Sequence, residues 1–287
     1  MKNFVLPGFY ENFTINSRLV LLFEENPQWF RENVKLECFF GAFQFCAWDG
    51  GRVFGRYDRA YKEDIVRIRD FYNEHGLPIR LTFTNPEITL ESLKDPYCNM
   101  VLYELNNGMN EVLVTSPLLE EYIRTNYSQM KICSSTTKCI TSPKLAKEEL
   151  NKGYHQVCLD YNLNRNEKFL SGLTQEEKDK TEILCNAICP PGCPFRKEHY
   201  RLNGLANLNG NSTFSIECQI NGTTMDENVW AYHNNLTPED IEEYEEKGFS
   251  HFKLEGRTIP EVEIVSNYCR YLVKPEYHLR FMYEMLI

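Results

Sequence analysis

Short apolar runs rich in β-branched residues recur along the chain, each closing on a polar residue and several leading into a segment with helical spacing. IRLTFT runs into Asn85-Pro86, EVLVT into Ser116-Pro117 and MKICSSTTKCIT into Ser142-Pro143; ITLESL, LLEEYIRTNY and KLAKEELNK follow in turn. An Asn or Ser side chain accepts from the free N–H groups of a first helical turn, and Pro has no N–H to be orphaned there. Each junction is therefore expected to read strand, N-cap, helix. Further strands are expected at KLECFFG (35–41), HQVCLDY (155–161), TEILCNA (181–187), STFSIECQI (212–220) and SHFKLEG (250–256), making eight in all. Between the last two, Thr237-Pro238-Glu239-Asp240 opens an acidic helix that Gly248 is placed to end.

Eight strands with helices interleaved predict an α/β fold, a closed TIM-type (β/α)8 barrel in a single domain over 1–287. Residues 1–34 read as an N-terminal lead-in and 258–287 as a C-terminal helical segment. In such a barrel the chemistry belongs at the C-terminal ends of the strands, which here include Asp160, Cys185, Cys218, Lys253 and Glu255.

Composition narrows the class. The 287 residues are 42% hydrophobic and 25% charged, which suits one globular domain with a sizeable core. Acidic residues outnumber basic ones by 41 to 31, and a net charge of −10 works against salt-driven capture of nucleic acid or anionic membrane by the chain as a whole. A local basic pocket is compatible with that balance, and RNA is not excluded as a partner. The first residues carry no apolar run of signal-peptide length, and no stretch approaches the roughly 20 apolar residues of a membrane span. The expectation is a cytoplasmic, reduced protein in which the Asn-x-Ser/Thr triplets at Asn12, Asn126, Asn211 and Asn221 are chance.

Eleven cysteines are too few for a disulfide scaffold and are odd in number. Cys185, Cys189 and Cys193 fall within nine residues, spaced C-x3-C-x3-C in a Pro/Gly-rich loop after a strand, and Cys218 follows 25 residues later. Four thiolates are the ligand set of a [4Fe–4S] cluster or of structural zinc. Zinc sites usually pair their ligands in two short knuckles, so iron–sulfur is the preferred expectation. Cys38, Cys46 and Cys133 are alternative fourth ligands, while Cys98, Cys139, Cys158 and Cys269 read as core or strand residues. The spacing also departs from the C-x3-C-x2-C of radical-SAM enzymes.

Three stretches, GAFQFCAWDGGR (41–52), Cys185 to Arg196 and FKLEGR (252–257), resemble peptidase family U-thirty-two, the collagenase-like group. Its barrels carry a K-[IL]-E-G-R signature near the end. The family includes oxygen-independent hydroxylation proteins of ubiquinone synthesis and of tRNA and rRNA, which hold a [4Fe–4S] cluster by four cysteines. The resemblance implies such a cluster on Cys185, Cys189, Cys193 and Cys218, although the family's cysteine spacing is usually wider. The chain stops about where the barrel ends, which makes the shorter, hydroxylation-type members the closer analogy. It also implies a partner subunit or a homo-oligomer.

Lys253, Glu255 and Arg257 alternate along the last strand and so share one face, which is either the barrel interior or the helix layer. Facing inward, Lys253 and Arg257 would suit a carboxylate-bearing substrate, with Glu255 pairing with them or moving a proton. A salt-bridged layer that seals the barrel is the plainer alternative. Arg52, after Gly50-Gly51 and beside Trp48 and Asp49, is placed to cover the site. Arg196 and His199 follow the cysteine loop within one helical turn, Arg196 as an anion contact and His199 as the histidine best placed for acid–base work. The expected function is an iron–sulfur oxidation or hydroxylation of a small anionic molecule or of RNA. The alternatives are a peptidase, for which no hydrolytic motif is evident, and a non-catalytic, cluster-bearing partner subunit.

Overall fold

The computed structural model describes residues 1–51, 59–210, 232–256 and 259–287. Eight parallel strands close a barrel in chain order: β1 (Lys2–Pro7), β2 (Val34–Gly41), β3 (Ile79–Phe83), β4 (Glu111–Val114), β5 (Lys131–Ser134), β6 (Val157–Cys158), β7 (Thr181–Leu184) and β8 (His251–Lys253). Closure is made by β8 against β1, where Asn3, Phe4 and Val5 pair with His251, Phe252 and Lys253. The helices that cover the barrel are α1 (Phe13–Glu25), α2 (Lys62–Glu74), α3 (Pro96–Leu105), α4 (Pro117–Asn126), α5 (Pro143–Leu150), the short α6 (Glu167–Ser171) and α7 (Gln175–Asp179), α8 (Arg196–Leu208), α9 (Pro238–Glu246), α10 (Glu261–Leu272) and α11 (His278–Leu286). The TIM-type barrel expected from the alternation is the fold found.

The first strand differs from the expectation. Residues 2–7, read as lead-in, are β1, and the run at 212–220, expected to supply a barrel strand, lies outside the described residues. Phe4, Val5 and Leu6 are all fully buried, so this strand lacks the apolar–polar alternation by which half-exposed strands announce themselves. The cysteine loop therefore follows β7, not a sixth strand.

Helix starts are mixed. Ser116 accepts from Leu119 N–H at the head of α4, and Thr237 and Asp240 form a reciprocal capping box at α9, as the sequence leads one to expect. Asn85-Pro86 opens no helix: Asp95 caps α3, and the Asn85 amide instead donates to the carbonyls of Ala47 (2.7 Å) and Gly204 (2.9 Å). That bond ties the loop after β2 to α8. The acidic helix α9 ends before Gly248, whose φ of +91° suits a residue with no Cβ.

Strand alternation divides the side chains into two sets. Phe4, Leu6, Phe39, Leu81, Phe83, Val112, Val114, Ile183, Phe252 and Leu254 join the core between strands and helices. The alternate positions face the barrel axis, where the lower half is polar. Arg80 Nε donates to Glu111 Oε2 at 2.6 Å, and the same guanidinium contacts Glu182 and Gln156. Gln156 and Glu37 in turn meet His251 Nδ1 at 2.8 Å. Among the described residues, no helix is long and apolar enough to cross a membrane.

Candidate functional site at the barrel mouth

Above this network, at the C-terminal ends of the strands, a cavity is lined by residues that follow or end β1, β2, β3, β4, β5 and β8. Its polar lining comprises Glu11, Asp49, Thr82, Thr84, Ser135, Thr136, Thr137 and Lys253, with Phe40 and Leu113 between. This is the face on which barrels of this class carry their reactive groups.

Lys253 is the cation among the described residues of the cavity wall. Its position on β8, alternating with the outward Phe252 and Leu254, sends the side chain inward and settles the sequence's open question about that face. The ammonium is buried, lies 3.2 Å from Glu182 Oε1 and sits 3.9 Å above the Phe40 ring. The ion-pair contact lacks hydrogen-bond alignment, and Nζ makes no aligned hydrogen bond among the described residues. Burial would raise the Glu182 carboxyl, but the Arg80 guanidinium and the Lys253 ammonium outweigh it and hold that group at about 2. Lys253 is thus an inward cation backed by a carboxylate held below the usual carboxylate range.

Glu255 stands at the same rim but is engaged by the cysteine loop. Its Oε2 accepts from Ile188 N–H at 3.0 Å, while its backbone exchanges bonds of 2.6 and 3.0 Å with the Asn186 side chain. Further along, Gly192 N–H donates to Asn162 Oδ1 at 2.8 Å. These bonds fasten the loop across the ends of β6, β7 and β8.

The three loop cysteines do not converge. Glu182 and Leu184 face the axis, so Cys185, continuing the alternation, faces the helices. It is fully buried in the outer core near Tyr244 and Tyr271, its Sγ 3.5 Å from Ile183 O, and burial pushes its thiol well up. Cys189 instead packs against Cys158, Tyr161, Leu184 and Ala187 at the mouth, and Cys193 is half-buried in the turn after Pro190. Among the described residues no three His, Cys, Asp or Glu side chains are grouped to hold a metal. The expected ligand set of Cys185, Cys189, Cys193 and Cys218 does not fit as a set, because Cys185 lies on the opposite face of its strand. Cys218, Arg52 and Arg257 lie outside the described residues.

Arg196 begins α8 and reaches the same quarter. It pairs with buried Asp160, stacks 4.5 Å over the Tyr161 ring, and Nε donates to Cys139 Sγ at 3.3 Å. Cys139, read from sequence as a core residue, is half-exposed here and holds a left-handed backbone at φ 54°. His199 lies one turn into α8, half-buried, and does not line the mouth cavity. The residues that sequence reasoning missed are Glu11 and Glu182. Glu182 had a legible signal, an isolated carboxylate inside the apolar run TEIL.

Fold and site together define a parallel (β/α)8 barrel with a polar, mixed-charge pocket at its C-terminal mouth. The chain is similar to the solved structure of the U32 peptidase Mk0906, with a TM-score of 0.56 at 16% identity, over 91% of this chain and 95% of that one. At that identity the likeness is one of fold. No protein-family model matches the sequence, and no curated protein matches it.

Proposed function

We propose that the chain is an enzyme whose reaction takes place in the barrel mouth, on a small polar substrate bound at Lys253. The observation that carries this reading is the buried Lys253 ammonium, which lines the cavity, is ion-paired to Glu182 and makes no aligned hydrogen bond among the described residues. An ammonium carries three donors, so the single carboxylate contact to Glu182 leaves capacity for a further acceptor. The narrow, many-walled cavity favours a small molecule over RNA. No histidine is among its described lining residues to activate a serine or cysteine, which favours this reading over hydrolysis of peptides.

The finer reading, an iron–sulfur oxidation or hydroxylation, is supported by the position of Cys189 at the mouth and of Cys193 on the same anchored loop. These are the described thiols such a cluster would use, with Cys185 left in the core. Zinc on the same thiols is the other metal to test. A bound cluster would supply electron transfer. The chain's own residues would orient that substrate through Lys253 and keep the loop in place through Glu255.

Two measurements test the proposal. Anaerobic purification followed by iron, sulfide and zinc analysis decides the metal; absence of iron and sulfide rejects the iron–sulfur reading. Turnover of a cellular small-molecule extract by the wild type and by Lys253→Met decides the site.

A further inference from the structure

We infer that α8 is a bar across the barrel mouth that pivots at Arg196 and lifts at Gly204 and Asn207 to admit a substrate to Lys253. The inference deepens the mouth-site reading and rests on it.

The mouth described by the structure is closed. Lys253 lines a cavity of about 50 Å³, room for a few waters. Small-molecule sites run to about 300–1,000 Å³. A substrate of more than a few atoms therefore reaches the ammonium only when part of the rim moves.

α8 crosses that rim. Its first residue, Arg196, pairs with Asp160, which follows β6. Near its other end Asn207 Nδ2 donates to Asp49 O at 2.7 Å, in the loop after β2. That loop is fixed to the end of β3, where Asn85 N–H donates to Trp48 O at 2.9 Å. In a closed ring of eight strands β6 and β2 stand opposite each other. A helix of 13 residues measures about 20 Å, enough to reach from one to the other. Along the way α8 packs on the turn Thr136–Lys138 after β5. Asp49, Thr84, Thr136 and Thr137, on or beside the segments that α8 touches, also line the cavity.

The two ends are held by different chemistry. At the first, a buried ion pair with Asp160 and the Tyr161 ring beneath the guanidinium fix Arg196, next to the anchored cysteine loop. At the other, the bonds to Asp49 O and from Asn85 Nδ2 to Gly204 O are neutral. Charge-assisted bonds are about twice as strong as neutral ones, which makes the Arg196 end the pivot. Gly204 allows the close seat: a Cβ there would stand 3.0 Å from Asn85 Cγ and closer still to its Oδ1.

The test is a staple, Asn85→Cys with Gly204→Cys, in the whole chain. The first substitution removes the amide that the second would meet. A Cβ at Gly204 lies 3.0 Å from Asn85 Cγ, one bond from Asn85 Cβ. That is near the roughly 3.5–4.5 Å that separates the Cβ atoms of a disulfide. Oxidised glutathione joins the two thiols and leaves as two molecules of glutathione. Acetylation of Lys253 by N-hydroxysuccinimidyl acetate, read by peptide mass spectrometry against exposed Lys94, reports access to the mouth. The stapled form should acetylate Lys253 at least roughly tenfold more slowly than the same protein reduced, because access follows the open population. Wild type treated with the same oxidant should not change, and circular dichroism checks the fold of each form. Gly204→Ala, whose methyl presses on Asn85, should raise the Lys253 rate with no disulfide present. Equal Lys253 rates in the stapled and reduced forms would overturn the proposal, as would a Lys253 that stays unreactive in the reduced form. These readouts need no substrate and do not depend on whether Lys253→Met abolishes turnover, so failure of the bar is distinct from failure of the mouth-site reading.

Discussion

Lys253 on β8 and Glu182 on β7 meet inside the barrel at 3.2 Å, Nζ to Oε1, and Arg80 contacts the same carboxylate from β3. One buried anion thus serves two cations. Glu111 is the second carboxylate on Arg80; burial would raise it, but Arg80 and His155 bring it to about 2.

Glu182→Ala should therefore destabilise the fold by about 3–5 kcal/mol, because it leaves Arg80 and Lys253 buried with less compensation. The depressed carboxyls add a pH signature. Their stabilising contribution is present above the ordinary value of 4.5 and is lost as pH falls towards about 2. Urea denaturation of the wild type should show stability falling steeply through that window, and Glu182→Gln should flatten the fall. A wild-type profile with no acid slope would remove the network from the stability account.

His251 gives the opposite sign. Burial alone would lower its ring, but the hydrogen bond and charge of Glu37 prevail and raise it above 6.5. A raised folded-state value means its contribution is full below 6.5 and is lost as pH rises through the folded value. The stability difference between wild type and His251→Gln should shrink as pH rises through that window. A difference that grows would show the ring to be neutral in the native state.

Glu255 is expected to behave as a positioning residue for the cysteine loop. Glu255→Ala removes the acceptor of Ile188 N–H, a local loss of about 1–3 kcal/mol. Amide exchange at Ile188 should accelerate accordingly, while Glu255→Gln, which retains an oxygen acceptor, should largely restore protection. If exchange at Ile188 is the same in all three proteins, the carboxylate does not hold the loop.

How much of this could be read from the chain differs from place to place. The barrel follows from repeated strand and helix units with real caps at Ser116 and Thr237, because capping chemistry is local. The first strand was hidden because NFVLP is short and buried on both faces. Lys253 was legible as an alternating charge in an apolar strand, but its partner was not, since Glu182 lies 71 residues earlier and only the parallel pairing of β7 with β8 makes them neighbours. The cysteine spacing misled for a physical reason: three regular thiols say nothing of strand parity, and parity turns Cys185 away from the mouth.

Thiol labelling reads that parity directly. In the native chain without added metal, Cys193 should react with iodoacetamide, and Cys185 should react roughly a hundredfold more slowly until denaturant is added, being buried with a raised thiol. Mass spectrometry of the labelled peptides separates the two. Equal native labelling would place Cys185 with the loop thiols after all.

The most direct test of the mouth as the reactive site is turnover of a small-molecule extract by anaerobically purified wild type and Lys253→Met, matched for melting temperature and compared by mass spectrometry. The account predicts at least one compound consumed by the wild type and left intact by the variant. Consumption at the same rate by both proteins would contradict it.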